Sequence, residues 1–337
     1  MKTTMSIRIA IIAIAFTGLV FACKKDNSNS NSTNSSNVQT GADDQAMVSN
    51  ENENVANDAN AALISTPTTN GDSKTAVAIG GTTAVNSTKQ INGVNGTSSI
   101  NGDIICDAAV AFDTASDPRT ITITYNGTNC WGNRTRTGTV VISIPASVHW
   151  RDVGAVVNIA IQNLVITRVS DGKTITLNGT KTMTNVNGGS LKDLATIGTI
   201  THVVNDSLSV TFADSAVRTW NVSKQRVFTY NNGIVITTTG LHSDGNNTGI
   251  AEWGTNRFGV AFESLITQPK VIRQDCDFRL VSGQNQIIRS DNINSTITYG
   301  LDASGNPTSC PGSGLYYLEI VWTLPNARTN PIIIPYF

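Results

Sequence analysis

Charge is scarce in this chain. Only 14% of its 337 residues are Asp, Glu, Lys or Arg, where ordinary soluble domains carry about 25%. The formal net charge is −1. A nucleic-acid face needs clustered Lys and Arg, and none is present, so nucleic acid is excluded as a partner. Histidine is scarcer still: His149, His202 and His242 are scattered, with no metal-ligand spacing between them. Gly-x-Ser-x-Gly, Cys-x-x-Cys and His-Glu-x-x-His are all absent, which removes the serine-hydrolase elbow, the thioredoxin-like pair and the zinc-protease helix. No window shows a sustained period of 3.6, and no glycine loop precedes a helix to hold phosphate. No catalytic residue, metal site or cofactor is therefore expected.

Carboxylates of the body are few as well. Its glutamates are Glu252, Glu263 and Glu319. Glu252 beside Trp253 has the makings of half a glycosidase pair with an aromatic platform. The plainer expectation is an exposed turn glutamate and a packing tryptophan. Asp302-Ala-Ser-Gly-Asn306 lacks the distant bidentate acid of a calcium loop and reads as a hairpin turn.

What the chain does carry begins at its N-terminus. Met1–Arg8 holds Lys2 and Arg8 and no acid, and Ile9–Ala22 is apolar apart from Thr17 and Gly18. That is the layout of an export signal over residues 1–22, too short to span a bilayer comfortably. Val20-Phe21-Ala22-Cys23 resembles the lipobox of bacterial lipoproteins. The resemblance implies cleavage between Ala22 and Cys23, lipid on the Cys23 thiol and an acyl chain on the new amine. Two or more chains anchor stably, so membrane lipid is a partner through Cys23. Lys24, rather than Asp, after the cysteine points by the same resemblance to the outer membrane.

Residues 23–75 read as a flexible tether. Asn27–Asn37 contains only Asn, Ser and Thr, too little apolar surface to offset the entropy of ordering. Asp43, Asp44, Glu51, Glu53 and Asp58 add charge that solvates the chain. Residues 76–337 then read as an all-β domain, with room for two subdomains. Ile121, Ile123 and Tyr125 alternate with threonines; Val140, Ile142 and Ile144 alternate with Val141 and Ser143; and the same period of two spaces Val157, Ile159 and Ile161, and Phe258, Val260 and Phe262. Leu315–Leu324 is apolar on both faces and reads as a doubly covered strand. Asp171-Gly172 predicts a two-residue turn pairing Ile166 with Leu177, and Asn232-Gly233 one pairing Tyr230 with Val235. Sequential hairpins favour a large antiparallel meander: a curved sheet, a sandwich or a partly closed barrel. The C-terminal Ile332–Phe337 reads as a tail tucked onto the domain.

Cys106, Cys130, Cys276 and Cys310 remain after Cys23, and an even number in an exported chain reads as disulfides. Asp107–Gly127 forms a hairpin whose ends return together, which pairs Cys106 with Cys130. Cys276–Cys310 follows by elimination.

Cys130-Trp-Gly-Asn-Arg-Thr-Arg-Thr-Gly138, then Trp150–Gly154 and Lys173–Val186, resembles a group of uncharacterised β-rich bacterial lipoproteins. The likeness covers Cys106–Val186 and implies no activity. It marks Arg134, Arg136 and Gly138 as pattern residues. Two arginines two apart share one strand face and are candidates to grip an anion; the plainer expectation is a pair of rim cations at a sheet edge. The functional expectation is a membrane-anchored cell-envelope lipoprotein with a non-catalytic β-domain that binds a protein or glycan partner. An envelope glycan hydrolase and a lipid or lipoprotein carrier are the alternatives, separated by what the sheet encloses.

Overall fold

The computed structural model describes residues 29–71, 105–311, 314–324, 327–328 and 331–336. The signal, Ala22, Cys23 and the residues up to Ser28 lie outside them.

Sixteen strands join one sheet among the described residues: β1 (Ala108–Asp113), β2 (Arg119–Thr128), β3 (Arg134–Ile144), β4 (Ala155–Arg168), β5 (Thr174–Asn185), β6 (Thr199–Phe212), β7 (Val217–Tyr230), β8 (Ile234–Gly240), β9 (His242–Ser243), β10 (Thr248–Thr255), β11 (Ala261–Arg273), β12 (Arg279–Arg289), β13 (Asn294–Leu301), β14 (Tyr316–Leu324), β15 (Ala327–Arg328) and β16 (Ile332–Tyr336). β1 to β7 follow chain order, and β10 to β15 continue it. β8 and β10 both lie between β7 and β11, and β16 pairs β14. The body is thus all-β and antiparallel, one continuous sheet among the described residues.

Alternation places Ile121, Ile123, Ile142, Ile159, Leu177, Val210 and Trp220 on one buried face. The other face of β6 carries Thr201, Asn205, Ser207, Ser209 and Thr211, none of them buried. β-branched threonine suits a pleated, half-solvated surface without adding charge.

Of the expected tether over 23–75, the described residues 29–71 are instead mostly helix, and the rest lies outside the described residues. Helix α1 runs Asn29–Ile64, and a short α2 follows at Pro67–Asn70. From Ala42 to Ile64 the helix is buried nearly all round, with Val48, Ala59, Ala62 and Leu63 at 0% exposure. Successive helical residues point about 100° apart. Glu51 meets β3, Asn52 meets β5, and Glu53 meets β7, while Ser49 meets β11. A short stretch of helix therefore touches four strands spread from β3 to β11, which places α1 along the concave side of a strongly curved sheet. A segment buried there has no strand to pair with. Only a helix satisfies its own backbone groups in that setting, and this outweighs the low helix propensity of asparagine.

Two glycines show how the sheet bends. Gly138 has φ +122° at a bulge between Thr137 and Thr139, and a Cβ there would meet Asn163 O at 2.3 Å. Gly254 has φ +155°, and its Cβ would meet Thr219 O at 2.1 Å. Such close backbone approach coils the sheet without breaking it.

Several local expectations are corrected. Ile166 pairs Ile175, and Leu164 pairs Leu177, because the β4–β5 connection is a longer loop closed by Arg168 N donating to Lys173 O. Tyr230 pairs Ile234 through a three-residue loop. Phe258 sits in the β10–β11 turn, 38% exposed. β14 is buried on one face only, by Tyr316, Leu318, Ile320 and Trp322. The C-terminal tail is itself a strand, with Tyr336 Oη donating to Leu280 O at 2.7 Å.

Candidate functional site

Inside the sheet, acids of the helix meet bases of the strands. α1 holds five acids and no base. Asp44, Glu51 and Asp58 are seven residues apart, so they form one stripe down the helix. Arg134 Nε reaches Glu51 Oε1 at 2.5 Å. Arg136 grips Asp107 with two nitrogens, at 2.6 and 2.7 Å, and Asp58 with a third, at 2.8 Å. Tyr125 Oη donates to the same Asp58 oxygen at 2.8 Å. The two arginines are therefore buried partners of carboxylates, and the expectation of rim cations is corrected. The anions they hold belong to this chain. Two carboxylates around one planar guanidinium fix it rigidly.

Glu252 is corrected too. It is 1% exposed on β10, not at a turn. Lys224 Nζ lies 2.6 Å from it, and Gln45 (2.6 Å), Ser49 (2.6 Å) and Trp220 (3.1 Å) all donate to it. Burial pushes this carboxyl up, but Lys224 and Lys270 outweigh it and hold it below the usual carboxylate range. Trp253 stacks on His242, centroids 4.0 Å apart. His202 lies between Trp150 and Phe228, and His149 sits at the rim of a loop, so the histidines do not converge. Each disulfide is formed as expected, Cys106–Cys130 and Cys276–Cys310.

The sheet does not close upon itself among the described residues: β1 pairs only β2, and β14 ends with β15 and β16. Along the helix a cavity of about 540 Å³ opens, within the roughly 300–1,000 Å³ of small-ligand sites. Its floor is α1, from Ser49 to Asp58. One wall is the β2–β3 turn with Cys130, Trp131 and Asn133, backed by Arg134 and Arg136. The other is Lys270, Ile272, and Asp277–Leu280 after Cys276, with Leu315 at the mouth. A disulfide thus pins each wall beside the opening. Trp131 and Leu315, each 49% exposed, are the apolar groups at the mouth.

Asn50, Asn54 and Asn57 line the floor at i, i+4 and i+7, one helical stripe. Lys270 Nζ donates to Ser49 Oγ at 3.2 Å and lies 5.0 Å from the Tyr299 ring centre. Burial, helped by repulsion from Lys224, pulls this ammonium down to about 8. A serine beside a lysine of lowered pKa matches a nucleophile and its base in chemical type. Here the Ser49 hydroxyl donates instead to Glu252, and the helix around it has its backbone N–H groups bonded within itself. The arrangement is suited to holding a polar molecule.

Sequence reasoning named Arg134 and Arg136 but not their partners. It missed Lys270, Lys224, Lys181 and the whole helical floor. The one available signal was the seven-residue spacing of Asp44, Glu51 and Asp58. Comparison with family models, curated proteins and solved structures gave no match.

Proposed function

We propose that this protein is a lipid-anchored cell-envelope protein, held at the outer membrane through Cys23, whose β-domain binds a polar ligand without transforming it. The cavity beside α1 carries this reading. It is walled by disulfide-pinned loops and floored by amides, and its carboxylates are engaged in ion pairs or hydrogen bonds. A hydrolase through Glu252 would need a carboxyl free to exchange protons at the substrate, and Glu252 has four partners. A lipid carrier would need a hollow concave face, and α1 fills that face.

The helix also changes the expected display. Five residues, Lys24–Ser28, separate Cys23 from α1. Fully extended they span about 17 Å, so the domain would ride close to the lipid headgroups. Mass spectrometry of detergent-extracted protein is expected to find a mature chain beginning at an acylated Cys23, and Cys23→Ser to leave the membrane fraction. Membrane retention of Cys23→Ser, or a different first residue, would overturn the anchoring claim.

A further inference from the structure

One wall of the cavity holds a cation without an ion-pair partner among the described residues. Among the cationic side chains lining it, Arg134 pairs with Glu51, Arg136 with Asp58 and Asp107, and Arg279 with Asp277 at 3.6 Å. Lys270 has no such carboxylate among the described residues. It is 7% exposed. One N–H goes to Ser49 Oγ, and the Asn285 carboxamide, in the orientation that satisfies its neighbours, accepts a second at 3.3 Å. An ammonium has three donors, so one remains for an occupant of the cavity. Glu252 and Glu53 attract this ammonium without touching it, so a carboxylate in direct contact would stabilise the buried charge further.

The rest of the lining specifies what else the occupant offers. Asn50 has no side-chain hydrogen bond among the described residues, and Asn54 makes one long bond, to Glu51 at 3.4 Å. Carboxamides both donate and accept, which matches hydroxyl groups that also do both. Trp131 at the mouth offers a flat apolar face to the C–H side of a sugar ring. An acyl chain would leave these amides and the ammonium desolvated and unpaired, a penalty that argues against lipid.

We propose that the cavity binds an acidic saccharide, its carboxylate against Lys270, its hydroxyls on Asn50 and Asn54, and a ring face on Trp131. This rests on the binding role proposed above and assigns that role a ligand class. Charged groups facing Lys270 are Glu53 from α1, Lys224 from β7 and Glu252 from β10, with Tyr299 from β13 beside them. Glu53 is held down to about 2 and Glu252 below the usual range by their cations, so both stay ionised at neutral pH, and Tyr299 is pushed above its ordinary value by burial. The Lys270 ammonium is therefore the group that changes charge near pH 8, and affinity for an acidic sugar falls above it.

Isothermal titration of the detergent-solubilised full chain tests this, with N-acetylneuraminic acid and methyl β-D-glucuronide as acidic probes and methyl β-D-glucoside as the neutral one. At least one acidic probe is expected to bind more tightly than the neutral one. Lys270→Met should weaken that acidic probe by about tenfold or more, the scale of a lost charge-assisted hydrogen bond, and weaken the neutral probe much less, so that the preference for acid is lost. Lys270→Arg should keep the preference. Trp131→Ala, at a half-exposed site where folding is not at stake, should weaken acidic and neutral probes together. Equal binding of acidic and neutral probes, or an affinity flat from neutral pH to beyond the Lys270 titration, overturns the acidic assignment while leaving a sugar site. No binding by any probe overturns the saccharide assignment altogether. None of these outcomes bears on Cys23, so anchoring is judged separately.

Discussion

His202 and Glu53 set the acid sensitivity of the fold from opposite sides of one charge network. His202 is 1% exposed, packed between Trp150 and Phe228, and its Nδ1 has no hydrogen-bond partner among the described residues. Burial, with Arg226 adding repulsion, pulls its pKa to about 3. The unfolded histidine takes a proton near 6.5. Between those values the unfolded chain binds a proton that the folded chain refuses, so stability falls as pH drops from 6.5 toward 3. For Glu53, burial raises the carboxyl but Lys224, Arg226 and Lys181 outweigh it and bring it to about 2, against 4.5 unfolded. Its contribution is present above 4.5 and lost as pH falls through 2; the difference corresponds to about 3 kcal/mol. Thermal unfolding followed from neutral pH to about pH 2.5 should therefore lose stability in two overlapping stages. His202→Phe should flatten the upper stage, and Glu53→Gln the lower. Parallel curves for wild type and both variants would show that neither group carries the sensitivity.

At the scale of elements, α1 is where reading the chain and seeing it folded diverge. The strands were legible because their partners on the inner face are apolar: Ile121, Ile123, Val140 and Ile142 recur at every second position and are buried, and period two survives any curvature of the sheet. The helix was not, because much of what it touches is polar. Asp43, Asp44, Glu51, Asn52, Glu53 and Asp58 each meet a Lys or Arg of a strand or turn. An acid among asparagines signals solvent when its partner lies far along the chain. Hairpin registers slipped for a different reason: loop length, not the Asn-Gly or Asp-Gly pair alone, decides pairing. The seated helix makes a concrete expectation. Glu51 is 1% exposed, and cleavage requires local unfolding of the backbone around the bond. Native protein treated with a glutamate-specific protease should stay intact at Glu51 and Glu53 for as long as the sheet stays folded, and be cut there only after urea is added. A tether would be nicked at once, and rapid native cleavage at those bonds would remove α1 from the fold.

The described residues form a curved sheet that does not close upon itself, and its two disulfides sit beside the cavity walls. Cys106 lies just before β1, while Cys130 lies in the turn between β2 and β3, so that bond ties the first edge of the sheet to one cavity wall. Cys276 follows β11 and Cys310 precedes β14, so the second bond ties the opposite wall to the connection leading into the last strands. The enclosed separations are 24 and 34 residues, for which the chain-entropy model gives about 3–4 kcal/mol each. A stapled wall has a second consequence. Asp277, Phe278 and Arg279 follow directly on Cys276, and Arg279 Nε donates to Cys276 O at 3.1 Å, so the cavity lining inherits the position of the bond. Cys276→Ser/Cys310→Ser is expected to lower stability in urea by about that amount, while far-ultraviolet circular dichroism below the transition stays β-like, because the sheet ladder is independent of the staple. Glycan affinity in the same variant should drop although Lys270 is intact, since the wall carrying Arg279 and Leu280 is no longer tied to the connection leading into β14. Unchanged affinity in a destabilised variant would mean that the bond serves the fold alone, and that the cavity takes its shape from the helix and strands without it.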